Sequence, residues 1–247
     1  TLLPFIGSTG ELKTKPTQHS VKELRSMGIQ PDAIVCRADQ PIPDEIKNKL
    51  SLFCDVPRKA VVGLTTVSNI YEVPLILEDA GFGDLLVDFL GLKAQGKDMA
   101  DWRAMVDRML SPKETLPIAV VGKYSDLEDA YFSVREAIRH AGLYHDRDIQ
   151  LTWVQSELLE ESDPHEILRH VSGVVVPGGF GSRGIEGMIR TVEYVRRRKI
   201  PYLGLCLGLQ VMVIEHARGL LGKPTANSTE FDPDTPHPVI DLMPDQR

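Results

Sequence analysis

The residues with the sharpest chemical content lie in Pro201-Tyr202-Leu203-Gly204-Leu205-Cys206-Leu207-Gly208-Leu209-Gln210. An apolar run ends in glycine, leucine, cysteine, leucine, glycine, and a helical pattern follows at once. This is the pattern of a nucleophile elbow with cysteine in the serine position. The flanking glycines suit a crowded, strained turn where any Cβ would clash. The N-terminus of a helix favours a thiolate, and a thiolate at a strand end can attack a carbonyl. A buried structural cysteine on an ordinary strand–helix turn is the alternative, and the two glycines weigh against it.

A second glycine-bearing strand end, Val174-Val175-Val176-Pro177-Gly178-Gly179-Phe180-Gly181, could bring a backbone N–H to an oxyanion. The N–H of Leu207 would be its partner. A plain tight turn is the alternative for this pair of glycines. A cysteine nucleophile also calls for a general base, usually histidine. His216 follows Cys206 by ten positions on the same helical pattern, about 15 Å along the axis at the standard rise, and is excluded. His140, His165 and His170 sit at or beside helix ends and read as surface residues, and His237 lies between prolines. The base is expected beyond Arg247.

Positioning these groups requires strands that end beside one another. Residues 118–122 form a short apolar run typical of a buried parallel strand. Strand patterns recur at 149–154, 171–176 and 200–205, and helical patterns at 129–140, 166–170, 185–199 and 207–220. The alternation predicts a doubly wound parallel sheet, with ligands at the carboxyl ends of its strands. The first part of the chain is also mixed, with strands at 1–6, 33–36 and 60–64 and helices at 20–27 and 44–53. The polar stretch Gly91-Leu92-Lys93-Ala94-Gln95-Gly96-Lys97-Asp98 and a helix from Asp101, closed by Ser111-Pro112 and Pro117, read as a connection. The expected organisation is therefore 1–95, a helical linker 96–115, and 116–247.

With 247 residues, 42% hydrophobic and 26% charged, the composition is that of a folded globular chain. The net charge of -7 disfavours a general nucleic-acid or anionic-membrane binder. No run approaches the length of a transmembrane helix. The N-terminus lacks the features of a signal peptide and an initiator Met, so the chain is expected to start inside a longer protein. Cys36, Cys54 and Cys206 show neither disulfide nor zinc spacing. A reducing, cytoplasmic setting is expected.

The Pro-Gly-Gly-Phe-Gly run followed by Gly-Leu-Cys-Leu-Gly-Leu-Gln resembles the class I glutamine amidotransferases. The runs 181–187 and Asn227-Ser228-Thr229-Glu230-Phe231 narrow the resemblance to the CTP synthase family. The segment 10–20 is similar to that family's pyrimidine-nucleotide loop. The resemblance covers nearly the whole chain. It implies two α/β doubly wound parallel-sheet domains, a partial amidoligase (synthetase) domain and a flavodoxin-like class I glutaminase domain. It also implies an enzyme whose glutaminase part releases ammonia from L-glutamine. In the synthetase part, ATP phosphorylates O4 of UTP and ammonia displaces the phosphate to give CTP.

Carried over residue by residue, the resemblance makes Cys206 the nucleophile and Gly179 and Leu207 the oxyanion donors. Gly179, Leu207, Gly208, Leu209, Gln210 and Glu230 would bind glutamine. Lys13, Thr14, Lys15, Pro16, Thr17, Gln18 and Lys49 would bind UTP, or CTP as feedback inhibitor; lysines suit triphosphate oxygens as point charges. Lys13 and Lys15 read locally as members of a polar loop, and Lys49 as the end of an amphipathic helix. Arg37, Thr65, Thr66 and Val67 would contact ATP. The family's P-loop and its Mg2+-binding carboxylates would precede Thr1, and no metal ligand is assigned within the chain. The family's triad His and Glu would follow Arg247. Taken by itself, the chain is expected to be inactive in both half-reactions. The resemblance further implies a homotetramer, filaments as a further assembly, and no nucleic-acid or membrane partner. Two other classes stay in view: a stand-alone cysteine hydrolase of the same fold, and a non-catalytic nucleotide-binding or filament protein. The 13–18 segment argues against the hydrolase, which has no use for it.

Overall fold

A computed structural model describes residues 1–94, 96–125, 128–243 and 245. Gln95 of the connecting stretch and Arg247 lie outside the described residues. The chain divides into two compact units, Thr1–Ser111 and Pro112–Arg247. Both are mixed α/β with parallel strand pairs.

In the first unit, β1 (Phe5–Ile6) and β2 (Glu11–Leu12) form a small antiparallel pair. Then come α1 (Lys15–Ser26), β3 (Ile34–Ala38), α2 (Asp44–Cys54) and β4 (Val61–Thr65), with β3 and β4 parallel and in register. The unit closes with α3 (Val73–Asp79), α4 (Phe82–Leu90) and α5 (Ala100–Leu110). Its core gathers Leu3, Leu12, Val21, Cys36, Leu50 and Val61. Helix α5 is tied into this unit by Trp102 Nε1, which donates to the Tyr71 carbonyl at 2.8 Å.

Three sequence expectations are corrected here. The strand expected over 1–6 is two pieces: Leu2 bridges Arg37 beside β3, and only Phe5–Ile6 pairs with β2. Pro4, which has no N–H to donate, stands at the break. Helix α1 begins at Lys15, not at Ser20, so most of the expected nucleotide loop is helix. Pro16 in the first turn explains the early start, because its fixed φ is already helical and its missing N–H is not needed there. Lys49 lies inside α2 rather than at its end.

The second unit carries β5 (Glu114–Gly122), α6 (Phe132–Tyr144), β6 (Arg147–Gln155), α7 (Leu158–Glu161), α8 (Pro164–Leu168), β7 (Gly173–Val176), α9 (Ile185–Arg198), β8 (Tyr202–Gly204) and α10 (Leu207–Gly219). A short parallel pair, β9 (Ala226–Ser228) and β10 (His237–Ile240), follows. The four-stranded parallel sheet has the order β6-β5-β7-β8, which is the flavodoxin-like arrangement. Side chains alternate as a parallel sheet requires. Ala119, Val121, Val154, Val174 and Val176 face a core closed by Met188, Val192, Val211 and Ile214 of α9 and α10. On β6, Trp153, one residue before Val154, stacks on Tyr131. The strand read as 118–122 extends back to Glu114, pairing with β6 over nine residues. Pro117 is accommodated because the ladder with β7 starts at Ile118: the Pro117 carbonyl accepts the Ser172 N–H at 2.8 Å, and on that side no paired strand residue calls for the N–H it lacks.

Candidate active site

The carboxyl ends of β5, β7 and β8 lie side by side, and the sheet reverses its winding between β5 and β7. In such sheets the switch point is where ligands bind. Cys206 stands immediately before α10 with φ 53° and ψ -106°, a conformation that costs a non-glycine residue strain. It is solvent-exposed. Its carbonyl accepts the N–H groups of Leu209 and Gln210 at 3.0 and 3.2 Å, which anchors the first turn of the helix. The N–H of Leu207, first in the helix, has no intrahelical acceptor.

Both flanking glycines are required by close approach. A Cβ on Gly208 would run into the carbonyl of Val176, and one on Gly204 would meet the backbone of Gly208 and Leu209. The strand end is locked further by Leu205 N donating to Val176 O at 2.9 Å and by the Tyr202 hydroxyl donating to Gly208 O at 2.7 Å. Burial pushes the Tyr202 phenol above its ordinary range.

The glycine loop after β7 runs alongside the Cys206 side chain. A methyl placed on Gly178 would lie 3.5 Å from Cβ and 3.9 Å from Sγ of Cys206, and one on Gly179 would lie 3.3 Å from Leu207 Cδ2. Gly181 N–H donates to Glu230 Oε1 at 3.2 Å, so the carboxylate named in the sequence reading borders this loop. On α10, Gln210 Oε1 is buried without a hydrogen-bond partner, an acceptor open to a donor from a bound molecule. Leu207 is buried, and Leu209 is 51% exposed.

Sequence reasoning missed Lys123. It directly follows β5 and is 1% exposed. Its ammonium donates to the carbonyls of Phe180, at 3.0 Å, and of Gly181. Burial pushes this lysine below its ordinary pKa range; Glu230 opposes the shift, Arg183 adds to it and Glu157 opposes it. The signal available was a charged residue placed straight after the apolar run 118–122, at the end of a central strand.

No described histidine is hydrogen-bonded to the sulfur of Cys206. His216 is exposed near the far end of α10. His165, read as a surface residue, is half-buried, and its Nδ1 lies 3.1 Å from the Tyr194 hydroxyl. His237 Nδ1 lies 2.9 Å from Thr225 Oγ1.

In the first unit, Lys13 Nζ pairs with Glu11 at 2.7 Å. That hydrogen bond and the Lys13 charge, helped by the charge of Lys49, hold the Glu11 carboxyl below its ordinary range. Lys15 and Pro16 are exposed in the first turn of α1. Gln18 Nε2 donates to Thr14 Oγ1 at 3.1 Å. Thr17 is fully buried and donates to Leu2 O at 3.2 Å, so it braces the segment from inside. Arg37 and Thr65 lie near the carboxyl ends of the paired strands β3 and β4. Thr66 follows, its hydroxyl 2.9 Å from Asp39 Oδ1, and Val67 comes next. Among the described residues no group of three or more His, Cys, Asp or Glu gathers as a metal site, so these residues offer Mg2+ no cage. No described helix is long and apolar enough to cross a membrane.

Comparison with known proteins bears on this arrangement. Residues 1–92 match the family described as CTP synthase N-terminus, and residues 126–239 match glutamine amidotransferase class-I. Over its whole length the chain is 62% identical to a CTP synthase of Dehalococcoides mccartyi and 59% identical to one of Thermomicrobium roseum, covering 45% of each. The chain thus spans about half the length of the curated relatives it matches. Among solved structures, the glutaminase domain of Trypanosoma brucei CTPS with bound acivicin is 38% identical with a TM-score of 0.51. That likeness covers 53% of this chain and 52% of that one.

Proposed function

The chain belongs to the CTP synthase family, and on that premise we propose that it forms part of an enzyme converting UTP to CTP with ATP and ammonia from L-glutamine. The observation that carries the reading is the exposed Cys206 at φ 53° with the Gly178 backbone against it. The sulfur, as thiolate, attacks the carboxamide carbon of glutamine. The C=O electron pair moves to oxygen, and the N–H groups of Leu207 and Gly179 receive that oxyanion. The intermediate collapses, the C–N bond breaks, and the nitrogen leaves as ammonia after taking a proton. The resulting thioester is opened by water to glutamate and free thiol. Glu230 suits the substrate's ammonium group. The unpartnered Gln210 Oε1 supplies a further acceptor.

Residues 1–95 contribute to the synthetase part, 116–247 to the glutaminase part, and 96–115 join them. Lys13, Lys15, Gln18 and Lys49 serve the UTP triphosphate, or CTP as inhibitor. Arg37, Thr65, Thr66 and Val67 serve ATP. Mg2+ accompanies ATP in this reading, and the described residues supply it no cluster of ligands. The protein works as a cytoplasmic homotetramer. The match of residues 1–92 supports this reading over a stand-alone cysteine hydrolase.

In the full-length protein carrying this chain, Cys206→Ala is expected to stop glutamate release from glutamine and to leave CTP formation from added ammonia intact. Lys13→Ala is expected to cut UTP-dependent CTP formation while glutamate release continues. Glutamate release by the Cys206→Ala variant at the wild-type rate would refute the nucleophile assignment, and undiminished CTP formation by Lys13→Ala would refute the nucleotide assignment.

A further inference from the structure

A fully buried lysine is rare unless its charge is met, and Lys123 is met by main chain. Its ammonium donates to two successive carbonyls, Phe180 and Gly181, of the loop that runs alongside Cys206. The stem packs along the same loop: a methyl on Gly179 would come 3.3 Å from Lys123 Cδ. The lysine is itself fixed. Its N–H donates to the Tyr131 hydroxyl at 3.2 Å, and its carbonyl accepts Arg183 Nη2 at 2.6 Å. The loop has no sheet ladder of its own past Val176, and Gly181 and Gly184 adopt φ of 76° and 70°, where glycine is freely accommodated. Such a backbone takes its course from outside contacts. Glu230 holds one side of it through Gly181 N–H, and Lys123 holds the other.

We propose that Lys123 is the positioning residue of the glutaminase reaction: it pins the Gly178–Gly181 loop beside Cys206, so that the Gly179 N–H meets the oxyanion. This rests on the glutaminase reading above. The lysine exchanges no proton with substrate and acts only through the loop. A shift of about 1 Å in such a donor is enough to cost about a hundredfold in rate.

The test replaces Lys123 by Met, which keeps the stem and removes the ammonium, in the full-length protein. For Lys123→Met, kcat for glutamine hydrolysis is expected to fall about a hundredfold, with KM changed less than threefold. The pH profile of Cys206 alkylation by iodoacetamide stays in place, because this reagent needs the thiolate and no oxyanion donor. Backbone amides of 179–181 exchange with deuterium at least tenfold faster, while those of α10 do not. Lys123→Gln, with a shorter donor, is expected to fall between the two. A kcat within twofold of wild type overturns the proposal. A displaced alkylation profile also overturns it, since Lys123 would then act on the sulfur directly. Loss of folding in both variants assigns the lysine to the core and overturns it too. The Cys206→Ala control separates the two claims. If that variant is dead and Lys123→Met is fully active, only the positioning role falls; if Cys206→Ala still hydrolyses glutamine, both fall.

Discussion

The backbone at Cys206 gives a prediction that separates stability from chemistry. With φ 53° and ψ -106°, this residue occupies a region that glycine enters freely and any residue with a Cβ enters under strain. Such strain costs of order 1–3 kcal/mol. Replacing Cys206 by Ala removes the sulfur and keeps the Cβ, so the strain persists; replacing it by Gly removes both. Against the relief stands the greater freedom of glycine in the unfolded chain, about 0.4–1 kcal/mol. Because the side chain is exposed, loss of the sulfur itself contributes little. Cys206→Gly is therefore expected to be about 1–2 kcal/mol more stable than Cys206→Ala, roughly 3–6 °C in Tm. Thermal and urea unfolding of the two variants side by side measure the difference, and both should lack glutaminase activity. Equal or lower stability of the glycine variant would show that the elbow holds no strain.

Two more expectations concern the same strand ends. Gly208→Ala would push a methyl into the Val176 carbonyl, and since both partners are backbone, β8 and α10 must separate. A loss of about 2–3 kcal/mol is expected, with glutaminase activity lost as well; unfolding midpoints and glutamate release check it, and wild-type stability would contradict the packing. Tyr202 bears on alkaline stability. Its phenol is held above the ordinary range by burial, so above about pH 10 the unfolded chain loses a proton that the native one keeps, and stability falls with rising pH by up to about 1.4 kcal/mol per unit. Tyr131 is shifted the same way, chiefly by burial, so Tyr202→Phe should make the decline between pH 10 and 12 shallower without abolishing it. Lys123, shifted down, works in the opposite sense below its unfolded value of about 10.5. Identical slopes in urea titrations of the variant and the parent would dismiss the Tyr202 assignment.

What the sequence revealed follows the range over which each residue is determined. The elbow was legible because its motif is contiguous in sequence: Gly204 is demanded by the backbone of Gly208 and Leu209 a turn away, although Gly208 is demanded by the Val176 carbonyl of β7. The parallel sheet was legible because Val174-Val175-Val176 and 119–122 are buried on both faces, and these stretches read as unbroken apolar runs. The role of Lys123 was hidden. What buries it arrives from Phe180, 57 positions away, and no local pattern distinguishes it from a solvated lysine. The start of α1 was hidden by the motif itself, since polar residues 13–18 suggest a loop, while Pro16 favours a first helical turn. His165 looked like a surface group, because Tyr194, which covers it, belongs to another helix.

Helices α9 and α10 are fastened by Arg196, whose guanidinium grips the nearly buried Glu215 through Nε at 2.9 Å and Nη2 at 2.6 Å. One of these helices begins just past the Gly178–Gly181 loop, and the other begins at the sulfur. The clasp therefore works like the rivet of a pair of tongs: it fixes the spacing of the two helices whose tips carry the loop and the sulfur, and a remote substitution that loosened the rivet would blur the grip without touching either jaw.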